Sequence, residues 1–359
     1  MKIVFLSYLH GFGGAEKQNV MLANSMVGKG HDVTLVSICA NNVCYELDSK
    51  IKYIYLPDRI KGPLKIIDRF LGIRKLLNEI RPDITVNFWF QSAYMTALMK
   101  KSIVGKVIYS ERGDPGDKEY SGALGLVRKL VLPRIDGFVF QSRGAQNYFN
   151  DKVKEKSVVI PNPVFIDRNN YPRSVVRGKR IITVGRLHPQ KNHKLLIDSF
   201  SLIAPMFPDY VLEIYGDGEL KNSTQEYIDS IGMASRIKLM GTSKEIYNKM
   251  FDAAVFVLSS DYEGLPNTLI EAMALGVPCI STDCKPGGAR DIITQKEDGI
   301  IVSRDNPERL SEAIKYYLSN PDRAESMASK ASENMKKFQP STVYDKWETY
   351  FGRVLGESK

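Results

Sequence analysis

Short apolar runs alternate with helical patterns along most of the chain, and the series runs twice. KIVFLSY (residues 2–8) leads into a glycine loop (11–14) and a helical pattern from Ala15 to Val27, which Gly28 and Gly30 close before HDVTLVSI (31–38). IKYIYL, a helix through 63–80, DITVNF, a helix near 91–101, KVIYS, a helix near 121–133 and GFVFQS continue the series. SVVIPNPVF (157–165) ends it, and the polar stretch 166–179 reads as a linker. RIITVGR (180–186) starts again, followed by a helix near 192–204, VLEIYGDG (211–218), IKLMG, VFVLSS (255–260), VPCIST (277–282) and GIIV. Strands separated by helices pair in parallel, with helices on both faces of the sheet. The expected fold is α/β: two doubly wound parallel-sheet domains, residues 1–168 and 169–340, facing a central cleft. A C-terminal helix over 341–359 is expected to pack back on the first domain. A chain of 359 residues has the length for two such domains.

Charge separates the halves. Residues 1–170 hold 25 basic and 16 acidic side chains, whereas residues 171–359 hold 25 of each, so the whole net charge of +9 lies in the first half. That asymmetry points to an anionic surface or partner: nucleic acid, an anionic membrane surface or a phosphorylated substrate. In segment 59–81, Leu64, Ile67, Phe70, Leu71 and Leu77 fall near helical spacing among Lys61, Lys65, Arg69, Arg74 and Lys75, and Arg128, Lys129 and Arg134 follow farther on. Such a helix either lies on an anionic membrane surface or covers the sheet with a solvated basic face. Nucleic acid is disfavoured, because the basic residues are spread through an α/β domain without a recognisable binding module. No run approaches the roughly 18 apolar residues of a membrane span, and the opening reads as a strand, not a secretion signal. Four cysteines do not make a disulfide framework, so the expected location is cytoplasmic.

Three loops at strand ends carry the chemistry. Gly11-Phe12-Gly13-Gly14-Ala15-Glu16 opens a helix, where glycines admit a ligand to the backbone and the helix start attracts anions. A dinucleotide fingerprint would need glycine where Glu16 stands, and a plain strand-to-helix turn is the competing reading. Arg186 and Lys191 straddle a proline turn before the next helix, where cations are unfavourable beside the positive helix end unless an anion sits between them. Two solvated surface cations would be the alternative. His188 and His193 flank the pair and read as loop residues, with no cluster to complete a metal site. In the third loop, Pro266 suits a first helical turn, with the helix running to Leu275 and Gly276 ending it. Free N–H groups near Leu265 to Thr268, Asn267 among them, suit a phosphate, and Glu263 and Glu271 can accept bonds from hydroxyls on either side. No Asp-x-Asp triplet occurs, and Cys39, Cys44, Cys279 and Cys284 are given no metal or redox role.

Gly13-Gly14-Ala15-Glu16, Gly185-Arg186 with Lys191, and Glu263 and Glu271 with seven residues between them resemble the retaining GT-B glycosyltransferases of family 4 across essentially the whole chain. The resemblance implies two Rossmann-like domains and a nucleotide-sugar donor held mainly by the C-terminal one. It implies that Arg186 and Lys191 bind the diphosphate, assisted by backbone from Gly264 to Thr268, and that Glu263, Arg186 and Lys191 carry catalysis. Glu263 would meet the donor sugar hydroxyls, Glu271 the ribose, and Gly13 and Gly14 the donor phosphates. Cations and N–H dipoles fixed there would stabilise the departing diphosphate without a metal or other cofactor. Many family members carry a histidine after a strand of the N-terminal domain; the corresponding stretch here is Tyr109 to Pro115, so Glu111 and Arg112 are candidates for binding sugar or acceptor. The implied activity is transfer of a hexose or N-acetylhexosamine from a UDP-sugar, with retention, to a polyprenol-diphosphate-linked or other saccharide. That places it in bacterial surface polysaccharide synthesis, lipopolysaccharide or capsule, at the inner face of the cytoplasmic membrane. A sugar-nucleotide epimerase on a similar fold is the alternative. A carboxylate-pair glycosidase ranks below it, because hydrolysis does not need the phosphate-binding features.

Overall fold

The computed structural model describes residues 1–11, 13–116, 122–171 and 177–357. Phe12 of the glycine loop, Ser121 and residues 172–176 of the expected linker lie outside the described residues. Two compact units emerge: residues 1–162 together with 341–359, and residues 163–340. The first boundary thus falls at Asn162, ahead of position 168, and the C-terminal segment belongs to the first unit.

The first unit contains β1 (Lys2–Ser7), α1 (Gly14–Gly28), β2 (Asp32–Ile38), β3 (Lys52–Leu56), α2 (Lys65–Ile80), β4 (Ile84–Asn87) and α3 (Phe90–Leu98). It continues through β5 (Lys106–Ser110), α4 (Gly122–Val131), β6 (Gly137–Phe140), α5 (Arg143–Asn147), α6 (Asp151–Glu155) and β7 (Ser157–Val159). All seven strands are parallel, in the order β3-β2-β1-β4-β5-β6-β7. Alternation along β1 explains its unbroken apolar run: Ile3 and Phe5 enter one core, Val4 and Leu6 the opposite one. Helices α2, α3 and α4 cover the second face through Ile73, Leu77, Phe90, Met95 and Val131.

The second unit contains β8 (Gly178–Val184), α7 (His193–Ile203), β9 (Val211–Tyr215), α8 (Lys221–Ser230), β10 (Ile237–Gly241), α9 (Ile246–Phe251) and β11 (Ala253–Leu258). Then follow α10 (Asn267–Ala274), β12 (Cys279–Thr282), α11 (Gly288–Ile292), β13 (Ile300–Val302), α12 (Pro307–Ser319) and α13 (Pro321–Asn334). Its six parallel strands run β10-β9-β8-β11-β12-β13, so the order reverses between β8 and β11. A doubly wound sheet opens a crevice for ligands at that reversal, beyond the carboxyl ends of the two strands.

Helix α14 (Pro340–Leu355) returns to the first unit and fills the face that carries α1. Trp347 is 2% exposed and its ring lies 6.1 Å from that of Phe88, nearly parallel. The Tyr350 hydroxyl accepts from the Phe138 amide at 2.8 Å and donates to the Lys156 carbonyl. Gly137 leaves room for it, since a Cβ there would lie 2.7 Å from the Tyr350 oxygen. Lys29 bridges Asp345 (2.5 Å) and Glu348 (2.8 Å), and His31 meets Glu348 at 3.0 Å.

Two expected elements are shorter than their apolar runs. The strand in SVVIPNPVF stops at Val159, because Pro161 and Pro163 have no amide hydrogen to donate to a ladder. Helix α3 ends at Leu98, and Lys100–Ser102 form a separate 3-10 turn.

Candidate functional site

The loops that follow β8 and β11 lie side by side because those strands are neighbours in the sheet. Residues 185–192 pass over the end of β9, where Gly216 adopts φ +138° and a Cβ would sit 1.9 Å from the Gly185 carbonyl oxygen. Only glycine permits that approach. His188 caps the 3-10 turn Pro189–Lys191 by accepting from the Gln190 amide, and Asn192, at φ +43°, caps α7 by accepting from Leu195 N. The Arg186 guanidinium is exposed and has no ion pair among the described residues. Lys191 behaves differently: its ammonium lies 2.5 Å from Oε1 of Glu263.

Glu263 is buried, and its carboxylate is held from several sides. The Ser260 hydroxyl donates to the same Oε1 at 2.7 Å, and the Gln190 amide reaches Oε2 at 3.5 Å while donating to the Tyr262 carbonyl at 2.8 Å. Backbone bonds from Glu263 N to Lys285 O and from Lys285 N to Asp261 O join this loop to the one after β12. Asn192 donates to Asp261 Oδ1 at 2.8 Å, and Ser259 donates to the Lys191 carbonyl at 2.8 Å. A cation and two neutral donors therefore converge on one carboxylate inside a cross-braced set of three loops. Such an arrangement fixes the direction of the carboxylate.

Helix α10 starts next to this carboxylate. Pro266 stands at its N-cap in extended conformation (ψ 90°), one place earlier than the first-turn position expected for it, and Gly276 follows the C-cap at φ +70°. The amides of Asn267 and Thr268 occupy the first helical positions, which have no intrahelical acceptor. Gly264 lies against Gly288, where a Cβ would come within 2.9 Å of the Gly264 carbonyl oxygen. Glu271, half-buried on α10, accepts from the Tyr247 hydroxyl at 3.1 Å. Burial, and then the Glu271 charge, raise the pKa of that tyrosine far above its ordinary value, so it stays a donor.

His193 is a buried helix residue, not a loop residue as the sequence suggested. It opens α7, and its Nε2 lies 3.2 Å from the Arg186 carbonyl. Burial pushes its pKa down to about 4, with the Lys191 charge adding to the effect. The neutral ring is thus the Nε2–H tautomer that donates to Arg186, leaving Nδ1 buried with no hydrogen-bond partner among the described residues.

The remaining candidates lie in the first unit. Gly13 is the N-cap of α1, which Gly14 opens; the Gly13 carbonyl accepts from Lys17 N at 3.0 Å and from the Tyr45 hydroxyl at 3.1 Å. Glu111 is 2% exposed and accepts from the Tyr109 hydroxyl (2.8 Å), Arg128 (3.1 Å) and the amides of Arg112 (3.1 Å) and Gly113 (3.2 Å). Its carboxylate is engaged internally, which makes it an anchor of the loop after β5. Arg112 donates to Asn162 at 2.9 Å, with its guanidinium 4.2 Å above the Phe88 ring. Burial lowers its pKa to about 9, which leaves it cationic at neutral pH. Arg128, counted in the sequence among the basic surface residues, is inside: it ties Glu111 to α4 and donates to the Pro115 carbonyl at 2.7 Å.

Sequence reasoning missed Gln190, Ser260, Tyr247 and Arg128. The first two sit one and three residues from the flagged Lys191 and Glu263, a proximity that could have drawn attention to them. Among the described residues, no three His, Cys, Asp or Glu side chains gather as a metal site.

Residues 12–168 match the family described as Glycosyltransferase Family 4, and residues 170–335 match Glycosyl transferases group 1. A relative from Campylobacter jejuni, N-acetylgalactosamine-N,N'-diacetylbacillosaminyl-diphospho-undecaprenol 4-alpha-N-acetylgalactosaminyltransferase, is 31% identical over 94% of this chain and 95% of its own. UDP-Gal:alpha-D-GlcNAc-diphosphoundecaprenol alpha-1,3-galactosyltransferase from Escherichia coli is 30% identical over 88% of this chain and 87% of its own. The crystal structure of HepE from Anabaena in complex with UDP superposes with a TM-score of 0.83 at 17% identity, covering 98% of this chain and all of that one.

Proposed function

Since this chain belongs to the GT-B glycosyltransferases of family 4, we propose that it transfers a hexose or N-acetylhexosamine from a UDP-sugar, with retention, to a polyprenol-diphosphate-linked saccharide. The reading rests above all on the convergence of Arg186, Lys191, Glu263 and the start of α10 at the strand-order reversal of the second unit. Arg186, Lys191 and the first α10 amides hold the diphosphate and stabilise the charge that builds on it as the glycosidic bond breaks. Glu263 accepts from donor-sugar hydroxyls and Glu271 from the ribose. The chemistry runs on these side chains and dipoles without a metal. The lipid-diphosphate acceptor is inferred from the acceptors named for the two bacterial relatives, and it fits a role in surface polysaccharide synthesis.

The test is a transfer assay with UDP-glucose, UDP-galactose, UDP-N-acetylglucosamine and UDP-N-acetylgalactosamine against a synthetic polyprenyl-diphosphate saccharide. The expected product carries one added sugar with the donor's anomeric configuration, read by NMR coupling. Free sugar and UDP appearing at full rate without acceptor would favour the epimerase instead.

The first unit also offers a surface for such an acceptor. Leu64, Ile67 and Leu71 beside or on α2 are 57%, 56% and 54% exposed, and Leu126 and Leu130 on α4 are 64% and 66% exposed. Exposed Lys65, Arg74 and Lys75 on α2 and Lys129 on α4 accompany them, with Lys61 just before α2 and Arg134 just after α4. No helix among the described residues is long and apolar enough to cross a membrane. An apolar face ringed by cations suits peripheral attachment to an anionic bilayer on the cytoplasmic side. Co-sedimentation with phosphatidylglycerol vesicles, weakened by Leu126→Ser with Leu130→Ser and absent with phosphatidylcholine, is the expected result.

A further inference from the structure

Glu263 and a bound diphosphate make claims on the same ammonium. The Lys191 Nζ is 2.5 Å from Glu263 Oε1, and both side chains are nearly buried, at 15% and 10% exposed. Lys191 is also one of the two loop cations assigned above to the diphosphate; the other, Arg186, has no carboxylate partner among the described residues. When phosphate oxygens draw Lys191 away, Glu263 retains the Ser260 hydroxyl at 2.7 Å and the longer Gln190 contact at 3.5 Å. A buried carboxylate that loses its cation is costly unless new donors replace it. A nucleotide sugar brings such donors in the hydroxyls of its sugar; a bare nucleoside diphosphate has hydroxyls only on the ribose, which is assigned to Glu271, and so brings none to Glu263.

We propose that the Lys191–Glu263 ion pair makes the site discriminate a nucleotide sugar from the nucleoside diphosphate left after transfer. The inference rests on the reading of this site as the donor site. The pair weakens the product selectively, because only the intact donor compensates Glu263 for the cation it gives up. Ser260 sets how strong the discrimination is, since it is the close neutral donor that stays behind on the same oxygen.

Calorimetric titration of the full chain with UDP and with the UDP-sugar that best stabilises it tests the idea. Glu263→Gln removes the charge, so UDP affinity is expected to rise at least about tenfold, with a smaller change for the UDP-sugar. Ser260→Ala keeps the charge and acts in the opposite direction: Glu263 depends more on Lys191, and UDP weakens by several-fold relative to the UDP-sugar. Simple repulsion between Glu263 and the diphosphate would move the first variant and leave the second at the wild-type ratio. An unchanged UDP to UDP-sugar ratio in folded Ser260→Ala therefore overturns the proposal, as does an unchanged ratio in folded Glu263→Gln. Failure of both ligands to bind the wild-type chain overturns the donor-site reading itself, and this inference with it.

Discussion

Arg128 and Glu111 form an ion pair at 3.1 Å with 6% and 2% of their side chains exposed, joining α4 to the loop that leaves β5. The guanidinium also lies 4.8 Å from the Phe149 ring. Removing one partner leaves the other charge buried, so Glu111→Ala or Arg128→Ala is expected to cost about 3–5 kcal/mol. Glu111→Gln combined with Arg128→Met should cost less than the sum of the single changes, as a double-mutant cycle in urea would measure. Additive costs would mean that the two side chains act independently.

Tyr350 serves α14 through its hydroxyl as well as its ring. Tyr350→Phe keeps the packing but removes one of two partners from each of Phe138 N and Lys156 O, which remain bonded to each other at 3.0 Å. A loss of about 0.5–1.5 kcal/mol is expected in chemical denaturation. Trp347→Ala, which empties space in the same core, should cost more, about 3–5 kcal/mol.

His193 predicts an acid limb. Its folded pKa, about 4, lies below the ordinary value of 6.5, so the unfolded chain binds more protons between these values. Stability is fully present above about pH 6.5 and declines as pH falls towards 4, by about 3 kcal/mol for this group. A His193→Asn variant should show a flatter denaturation midpoint between pH 6.5 and 4 than the wild-type chain; equal slopes would remove the histidine from the explanation.

Arg186 and Lys191 should separate when stability and transfer are measured together. Arg186→Ala removes an exposed cation that has no ion pair among the described residues, and is expected to leave the melting temperature unchanged while transfer falls about a hundredfold or more. Lys191→Ala also strands Glu263, so melting temperature and transfer should fall together.

Gly216→Ala tests the loop scaffold. The new Cβ would stand 1.9 Å from a backbone oxygen at a φ that L-residues rarely adopt. The loop of Arg186 must then shift, and the expected result is lower stability together with weaker UDP binding in calorimetry.

Both parallel sheets were legible because doubly buried strands read as unbroken apolar runs, as β1 and β11 do. Ile160 illustrates the limit: it continues such a run and is fully buried, yet it lies beyond β7. Lys191 and Glu263 were legible as individual candidates, but their pairing depends on β8 and β11 being neighbours, a fact of strand order that local pattern does not carry. Arg128 was hidden for a related reason. Its helix presents Leu126 and Leu130 outward and Arg128 inward, and the partner that makes this tolerable is 17 residues away in a different element.

The return of α14 to the first unit has a consequence for the order of assembly on the ribosome. Residues 163–340 complete the second unit's sequence while the first still lacks Val343, Tyr344, Trp347, Tyr350 and Phe351 from its core. The domain begun first is therefore the last to be finished. A released chain that ends near residue 340 holds the whole second unit and a first unit whose α14 groove still exposes apolar surface to chaperones.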